Sequence, residues 1–431
     1  MAARLTLFLL LASAAAAQPT PPAYEAVVWH PAQALPDGER HTPLYTVRDP
    51  ITTDGLMPEY TLETKEGVLP AYGHRGLLAR EQEVRALAVA LATSDIDVIA
   101  GTAKRQVEGS LKTVANAAKN PVGLVEGLPR GIVNLFRGAA AQVREFGREA
   151  AQDVTQTHEA SATGPGPVAR DEARAERAAA HYADRYLGLS ADERAWFERL
   201  GVDPYTDNVR LRKAVQHLAH VEAATSLGLR LVSLPSIPYA GDVQRAMDAV
   251  FHEDPAVLRE RRRDTLLGYG LTADEVDRFE NSAALSPTRQ QRLTVAAAEL
   301  SGVSGRDSLF RRAMHLKSED EADIYVASAE LLVDEHRHRP LTSLFPDLRL
   351  PGGRYADGSG CIVAAAFETI TWTATTADAE AALHAGLAED VGVRRLRTVG
   401  TISAEATATL TSLGWTLQAE DPVATPASNP P

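Results

Sequence analysis

Residues 349–372, RLPGGRYADGSGCIVAAAFETITW, mark the point where the sequence changes from a helical to a strand-forming pattern. The middle of this stretch, ADGSG at 356–360, consists of residue types that favour tight turns. The flanking parts, 349–354 and 361–372, predict two strands joined by this glycine-rich turn. We therefore expect a β-hairpin near the end of the chain.

The hairpin is predicted to open a small α/β domain. After it, helices and strands alternate in the order helix, strand, helix, strand at 377–390, 393–399, 403–413 and 415–417. We assign 341–420 to this domain and expect 421–431 to be a disordered tail.

The chain before the hairpin is predicted to be a multi-helix domain over 170–340. Three capping boxes, in which a hydroxyl residue is followed three positions later by glutamate, mark helix starts. They are Ser190/Glu193, Thr272/Glu275 and Ser318/Glu321. The predicted fold class is therefore mainly α, a multi-helix domain with a small C-terminal α/β domain.

The N-terminal part of the chain divides into three further segments. Proline, glycine and scattered apolar residues over 18–75 are typical of an extended arm. Apolar residues recur at helical spacing from Gly76, so 76–154 is predicted to form basic amphipathic helices. The polar stretch 155–169, rich in glycine and proline, is typical of a linker.

Residues 1–17 have the pattern of a cleavable signal peptide. Arg4 precedes the apolar run LTLFLLLA, and three alanines at 15–17 supply the small residues of a cleavage site. The run is shorter than the roughly 20 apolar residues that span a membrane. We therefore expect export to the periplasm or the extracellular space; a retained N-terminal anchor is the alternative.

Composition argues against some function classes. The net charge of the 431 residues is −13, and it becomes −14 once Arg4 leaves with the signal peptide. An acidic protein repels nucleic acid at long range, so DNA and RNA are not expected partners. The single cysteine, Cys361, has no partner for an internal disulfide and begins an apolar run, so we expect a buried thiol.

The sequence contains none of the common catalytic spacings. It lacks the G-x-S-x-G of many hydrolases, the G-x-x-x-x-G-K of phosphate-binding loops and the H-E-x-x-H of metalloproteases. A site assembled from distant residues is not excluded by these absences.

The loop 203–208, DPYTDN, joins two predicted helices. Its carboxylates and amide are oxygen ligands of the kind that calcium binds, but no EF-hand spacing is present. The preferred interpretation is that Thr206 or Asp207 caps the helix that begins near Val209.

A second polar cluster, DEHRH at 334–338, lies near the end of a predicted helix. Histidine and arginine near a helix C-terminus are expected to complement its dipole. A metal site is the alternative, and it requires an unwound helix end.

Two histidines at helical spacing, His217 and His220, form a candidate metal-binding pattern. Two imidazoles on one helical face can chelate a divalent metal, but a further ligand is needed. Glu222 is a nearby carboxylate, although it lies off that face. The alternative is a pair of ordinary surface histidines. If a divalent metal binds here, metal-activated water makes the protein an exported hydrolase.

The strongest asymmetry in the sequence is electrostatic. Residues 101–148 carry eight basic and three acidic side chains, a net +5, which leaves −19 on the rest of the mature chain. Basic amphipathic helices bind anionic membrane surfaces or acidic protein partners. The alternative is that this segment docks on the acidic helices of its own chain. The predicted contact residues are Arg130, Arg137, Arg144, Arg148 and Phe136.

We predict a non-catalytic exported binding or scaffold protein whose basic segment, 101–148, contacts a membrane or an acidic partner. The metal-dependent hydrolase is the first alternative. The second is a secreted membrane-active effector, because the helices of 120–147 are broken by glycine and proline. In this pattern of helices interrupted by glycine and proline, the segment is similar to the helical stretches that precede toxin domains in bacterial secreted toxins. That similarity covers a small part of the chain and implies no site residue.

Overall fold

The computed structural model describes residues 24–25, 28–100, 188–225, 241–387 and 392–419. The predicted signal peptide, the basic segment, the linker and the C-terminal tail lie outside the described residues. Helices and sheets are interleaved along the described chain, which makes this a mixed α/β fold.

An antiparallel sheet of four strands lies near the start of the described chain. Its longest strand is β3 (Pro58–Thr64), and the strands that pair with β3 are β1 (Tyr45–Val47), β2 (Thr52–Thr53) and β4 (Gly67–Tyr72). Two single-turn helices, α1 (Pro31–Ala34) and α2 (Asp37–Arg40), precede the sheet.

This first sheet lies within 18–75, where the sequence predicts an extended arm. In β3, Tyr60 and Leu62 are buried while Glu59 and Glu63 are exposed. This period of two is the mark of a strand with one buried face. The pattern is short, and the proline and glycine of the surrounding residues obscured it.

Helices form most of the described chain between the two large sheets. Helix α3 (Gly73–Ala100) follows β4 directly. The remaining helices of this part are α4 (Ala191–Leu200), α5 (Val209–Thr225), α6 (Gly241–His252), α7 (Pro255–Gly268), α8 (Ala273–Glu280), α9 (Pro287–Glu299), α10 (Asp307–Ala313) and α11 (Glu319–His338). None of the helices within the described ranges is both long enough and apolar enough to cross a membrane.

Local capping signals placed several of these helix starts correctly. The predicted capping boxes at Ser190 and Thr272 are both present: each hydroxyl accepts the N–H of a glutamate whose carboxylate accepts the N–H of the cap residue. Ser318 caps α11 by accepting the N–H of Glu321. The third capping box is incomplete, because the carboxylate of Glu321 accepts the N–H of Lys317 instead of the N–H of Ser318.

The second large sheet has five strands in the order β11-β9-β7-β6-β5. They are β5 (Leu341–Leu344), β6 (Gly352–Tyr355), β7 (Gly360–Ala365), β9 (Val393–Thr398) and β11 (Trp415–Ala419). The antiparallel pairing of β6 with β7 confirms the predicted hairpin. The other side of β7 is parallel, since β9 pairs with β7 and β11 pairs with β9 in that sense.

Two helices connect the parallel strands, α12 (Ala374–Gly386) and α13 (Ala404–Ser412). Two short strands, β8 (Thr369–Ile370) and β10 (Thr401–Ile402), form a separate parallel pair. Both lie in the connections that follow the carboxyl ends of β7 and β9.

Strand β7 is buried along its whole length and lies between two hydrophobic cores. Ile362 and Ala364 pack with helices α8 to α11, whereas Cys361 and Ala365 pack with α12 and α13 on the other face. The thiol is fully buried, which confirms that part of the prediction. Because one core joins helices before residue 340 to strands after it, the predicted fold class of mainly α with a small C-terminal α/β domain holds only in part.

Candidate functional site

Helices α3 and α5 run side by side in the same direction. Near the start of α5, Asn208 donates a hydrogen bond to Glu83 of α3 over 3.2 Å. Further along, Ala86 and Ala90 of α3 share a core with Leu211 and Leu218 of α5. The 28 residues of α3 extend about 42 Å at the usual helical rise. The predicted basic segment continues from the far end of α3.

The side chain of Glu83 holds the two helices together near the start of α5. It is 8 % exposed and accepts hydrogen bonds from Arg80 at 2.9 Å and from the hydroxyl of Thr206 at 2.6 Å. Burial raises the pKa of Glu83. Arg80 also forms a bidentate pair with Asp207, in which the Nη2–Oδ2 distance is 2.8 Å. A buried carboxylate with this many donors stabilises one fixed arrangement of α3 against α5.

The start of α5 differs in one residue from what its sequence favours. Thr206 or Asp207 is the expected N-cap of a helix beginning near Val209. The helix does begin at Val209, but Asn208 is the cap, since its Oδ1 accepts the N–H of Leu211 over 3.1 Å. The prediction was wrong because Asp207 is drawn to Arg80.

Two more bidentate arginine pairs join α9 to α11. Arg289 reaches both carboxylate oxygens of Asp323 at 2.7 Å, and Arg292 reaches both of Glu330 at 2.8 Å. Glu319 accepts a further bond from Arg289 at 2.9 Å. We call the whole set the charged seam; its members are Arg80, Glu83, Asp207, Arg289, Arg292, Glu319, Asp323 and Glu330.

Helix α3 approaches the α9–α11 part of the charged seam through its first turn. Arg75 lies 3.9 Å from Glu330 and keeps two thirds of its side chain exposed. The N–H groups of His74 and Arg75 donate to the carboxylate of Glu368, which follows β7, over 2.6 and 3.3 Å. A carboxylate at a helix N-terminus stabilises the helix through its dipole. Gly73 adopts a φ of +73°, and a Cβ there would collide with Met57.

Two carboxylates around the charged seam have pKa values shifted in opposite directions. Asp203 accepts bonds from the N–H of Tyr205 at 2.9 Å and the hydroxyl of Thr288 at 2.7 Å, yet burial dominates and raises its pKa. Desolvation disfavours the ionised carboxylate of Asp323, but attraction to the guanidinium of Arg289 outweighs it. The pKa of Asp323 is therefore lowered. Because these two carboxylates ionise over different pH ranges in the folded protein, the stability of the contacts around the charged seam depends on pH.

The predicted metal ligands lie apart from the charged seam. His217 and His220 are exposed on α5, and Nδ1 of His220 lies 2.8 Å from the carbonyl oxygen of Gln216. Glu222 pairs with Arg199 over 3.1 Å instead of approaching the histidines. Among the described residues there is no group of three side chains that could hold a metal ion.

The predicted membrane or partner contacts cannot be placed on the fold. Arg130, Arg137, Arg144, Arg148 and Phe136 all lie outside the described residues. Their involvement stays a prediction.

The polar cluster 334–338 at the end of α11 was expected to complement the helix dipole, with a metal site as the alternative. Glu335 is instead a buried acceptor, bonded by the hydroxyl of Tyr355 at 2.7 Å and by Arg397 at 3.2 Å. Nδ1 of His336 accepts the N–H of Leu341 over 2.9 Å, and burial lowers the pKa of this histidine. These contacts tie the helix to the second large sheet.

Sequence reasoning missed the charged seam, and only one local signal pointed to it. Arg80 and Glu83 are three residues apart, the spacing of a helical ion pair. The decisive partners of Glu83 are more than a hundred residues away, since Thr206 is separated from it by 123 positions.

Comparisons with known proteins do not assign a role to the chain. No family model, no curated protein and no solved structure matches it.

Proposed function

We propose that this protein is an exported binding protein that attaches to anionic membrane surfaces through its basic segment, 101–148. In this proposal the described helices and sheets are the scaffold. The observation that carries it is the junction of α3: Glu83 fixes the helix near its start, and the basic segment follows the last residue of the helix in the sequence. A segment attached to a fixed helix starts from one defined place on the scaffold.

The rest of the mature chain carries a net −19, so the protein's own acidic surface competes with a membrane for the +5 segment. Many carboxylates of the described helices, however, already pair with an arginine. Asp242 and Glu299 both bind Arg245 and Arg337, and Asp323 binds Arg289. Paired carboxylates offer less attraction to a further cation than free ones.

The sequence that follows α5 is apolar. Residues 226–240, SLGLRLVSLPSIPYA, contain seven large apolar side chains, one arginine and no acidic residue. In the sequence, this stretch follows α5 and the basic segment follows α3, two helices that share one core. Apolar and basic residues together are what anionic bilayer surfaces bind. The signal-peptide pattern at 1–17 supports a location where such a surface is met.

Vesicle co-sedimentation tests the proposal. The chain 18–431 is mixed in low salt with vesicles of phosphatidylcholine containing about 30 % phosphatidylglycerol, and with pure phosphatidylcholine. We expect pelleting with the anionic vesicles that is lost in high salt. The variant Arg130→Glu, Arg137→Glu, Arg144→Glu should bind more than about tenfold more weakly, because each basic residue near such a surface contributes about 1 kcal/mol.

The matched control reverses three charges elsewhere. Lys65→Glu, Lys317→Glu, Arg349→Glu changes the net charge by the same amount at exposed positions of the body. It should keep most of the binding, and circular dichroism confirms that both variants are folded. Negligible pelleting of the unmodified chain with anionic vesicles, or equal losses in both variants, contradicts the proposal.

A further inference from the structure

The two edge strands of the five-stranded sheet differ in whether another described part of the chain pairs with their outer side. The outer edge of β5 is covered by the backbone of Ser304, which donates to the carbonyl oxygen of Thr342 over 3.0 Å and accepts the N–H of Leu344 over 2.9 Å. At the other edge, β11 pairs with β9, and no second strand or bridge among the described residues lies alongside it. A strand edge left open presents unpaired N–H and carbonyl groups.

The residues of β11 do not protect that edge. The strand reads Trp-Thr-Leu-Gln-Ala over 415–419, with no charge and no proline. Open edges in soluble proteins usually carry lysine, proline or a bulge that prevents pairing. Trp415 is buried and donates its indole N–H to Glu380 over 2.9 Å, which anchors the strand. Thr416 and Gln418 are exposed on the opposite face.

The chain's own tail is a poor cover for this edge. Twelve residues, EDPVATPASNPP, follow β11, and four of them are prolines without an N–H to donate. A second copy of β11 is a better match, because the strand is uncharged and two copies do not repel each other there. In an antiparallel pair centred on Leu417, Thr416 lies opposite Gln418 of the partner subunit, and these side chains can hydrogen-bond.

We propose that two copies of this protein associate edge to edge through β11, joining their five-stranded sheets into one. Leu413 and Val393, 38 % and 44 % exposed beside the start of β11, lie at the rim of this contact. Five paired residues make a small interface compared with the roughly 1,600 Å² of a standard stable complex. The dimer is therefore weak and forms in a concentration-dependent manner.

Sedimentation velocity of the chain 18–431, from about 2 to about 200 µM, tests this pairing. The unmodified chain should shift from monomer to dimer across the range. The variant Thr416→Lys, Gln418→Lys places lysine opposite lysine, so its dissociation constant should rise at least about tenfold. The variant Thr416→Glu, Gln418→Glu should fail to dimerise in the same way. An equimolar mixture of the two variants should dimerise again, because each lysine then faces a glutamate.

The control carries the same change of residues away from β11. Thr342→Lys, Gln244→Lys alters two exposed positions and should dimerise like the unmodified chain. A chain that stays monomeric throughout the range overturns the proposal, as does a lysine variant that dimerises as tightly as the original. If the chain dimerises only after removal of 420–431, the tail covers the edge, and the proposal is equally wrong.

Discussion

Along α11, an apolar face and an acidic stripe lie next to each other and hold the fold in different ways. Val326 and Leu332 are fully buried in the core that reaches β7. Asp323 and Glu330 belong to the charged seam and pair with arginines of α9. The free energy gained by burying apolar area depends little on the orientation of the side chains or on pH. An ion pair, in contrast, needs one geometry and one protonation state. The apolar face therefore stabilises the fold, and the acidic stripe sets where its helices meet.

The largest expected effect breaks the apolar side of this comparison. Leu332→Ala should lower the free energy of unfolding by about 2–5 kcal/mol, since it removes a fully buried side chain and leaves a cavity. Leu332→Met keeps the volume and should cost less than about 1.5 kcal/mol. Urea denaturation followed by circular dichroism measures both. A loss below about 1 kcal/mol for the alanine variant would show that α11 is not held mainly by this core.

A smaller effect is expected where the charged seam clamps α3. Glu83→Ala should cost about 2 kcal/mol, because it leaves the Thr206 hydroxyl and the Asn208 amide without their acceptor while Arg80 keeps Asp207. Glu83→Gln retains an acceptor oxygen and should lose less than half as much. Hydrogen exchange of α3 and α5 gives the second readout. Faster exchange confined to other helices would contradict the assignment of Glu83 as the clamp.

The smallest effect sharpens the comparison through pH. For Asp323, whose folded-state pKa is lowered, the stabilisation is present above the ordinary value of 3.8 and is lost as the pH falls through the folded-state value. For Asp203, whose folded-state pKa is raised, the sign is opposite. The stabilisation from Asp203 is fully present below the ordinary pKa of 3.8 and is lost as the pH rises through the folded-state pKa.

Asparagine variants separate the two signs. With increasing pH, the stability lost by Asp323→Asn should grow, whereas the stability lost by Asp203→Asn should shrink. For Asp323, which is half exposed, this change should be about 1 kcal/mol or less. Urea unfolding from pH about 2.5 to about 7 measures both slopes. Slopes of the same sign would refute the opposite environments assigned to these carboxylates.

Prediction from the sequence succeeded where the physical cause lies within a few residues. The caps at Ser190 and Thr272 were identified because a hydroxyl and a glutamate three positions apart satisfy each other. The hairpin of β6 and β7 was identified because a glycine-rich turn separates two strand-forming runs. The first sheet was missed, since the alternation in β3 is short and lies among turn-forming residues.

The candidate site depends on contacts between distant segments, which a local sequence pattern does not show. His217 and His220 are visible as a sequence pair, but a metal site needs a further ligand from another segment, and Glu222 is held by Arg199. The cap of α5 was misplaced because Arg80, from a distant helix, competes for Asp207. In both cases the outcome depends on an arginine from another segment of the chain, Arg199 for Glu222 and Arg80 for Asp207.

The sequence by itself therefore determined the helix starts at Ser190, Thr272 and Ser318, the hairpin, the buried thiol and the separation of basic from acidic segments. These follow from the chemistry of residues close together in the chain or from composition alone. Only the tertiary structure decided that α3 and α5 lie side by side, that Glu83 is buried at their junction and that β11 is left as an edge. Burial and ion pairing depend on where other segments lie, and their energies follow the distances and solvent exposure that folding sets.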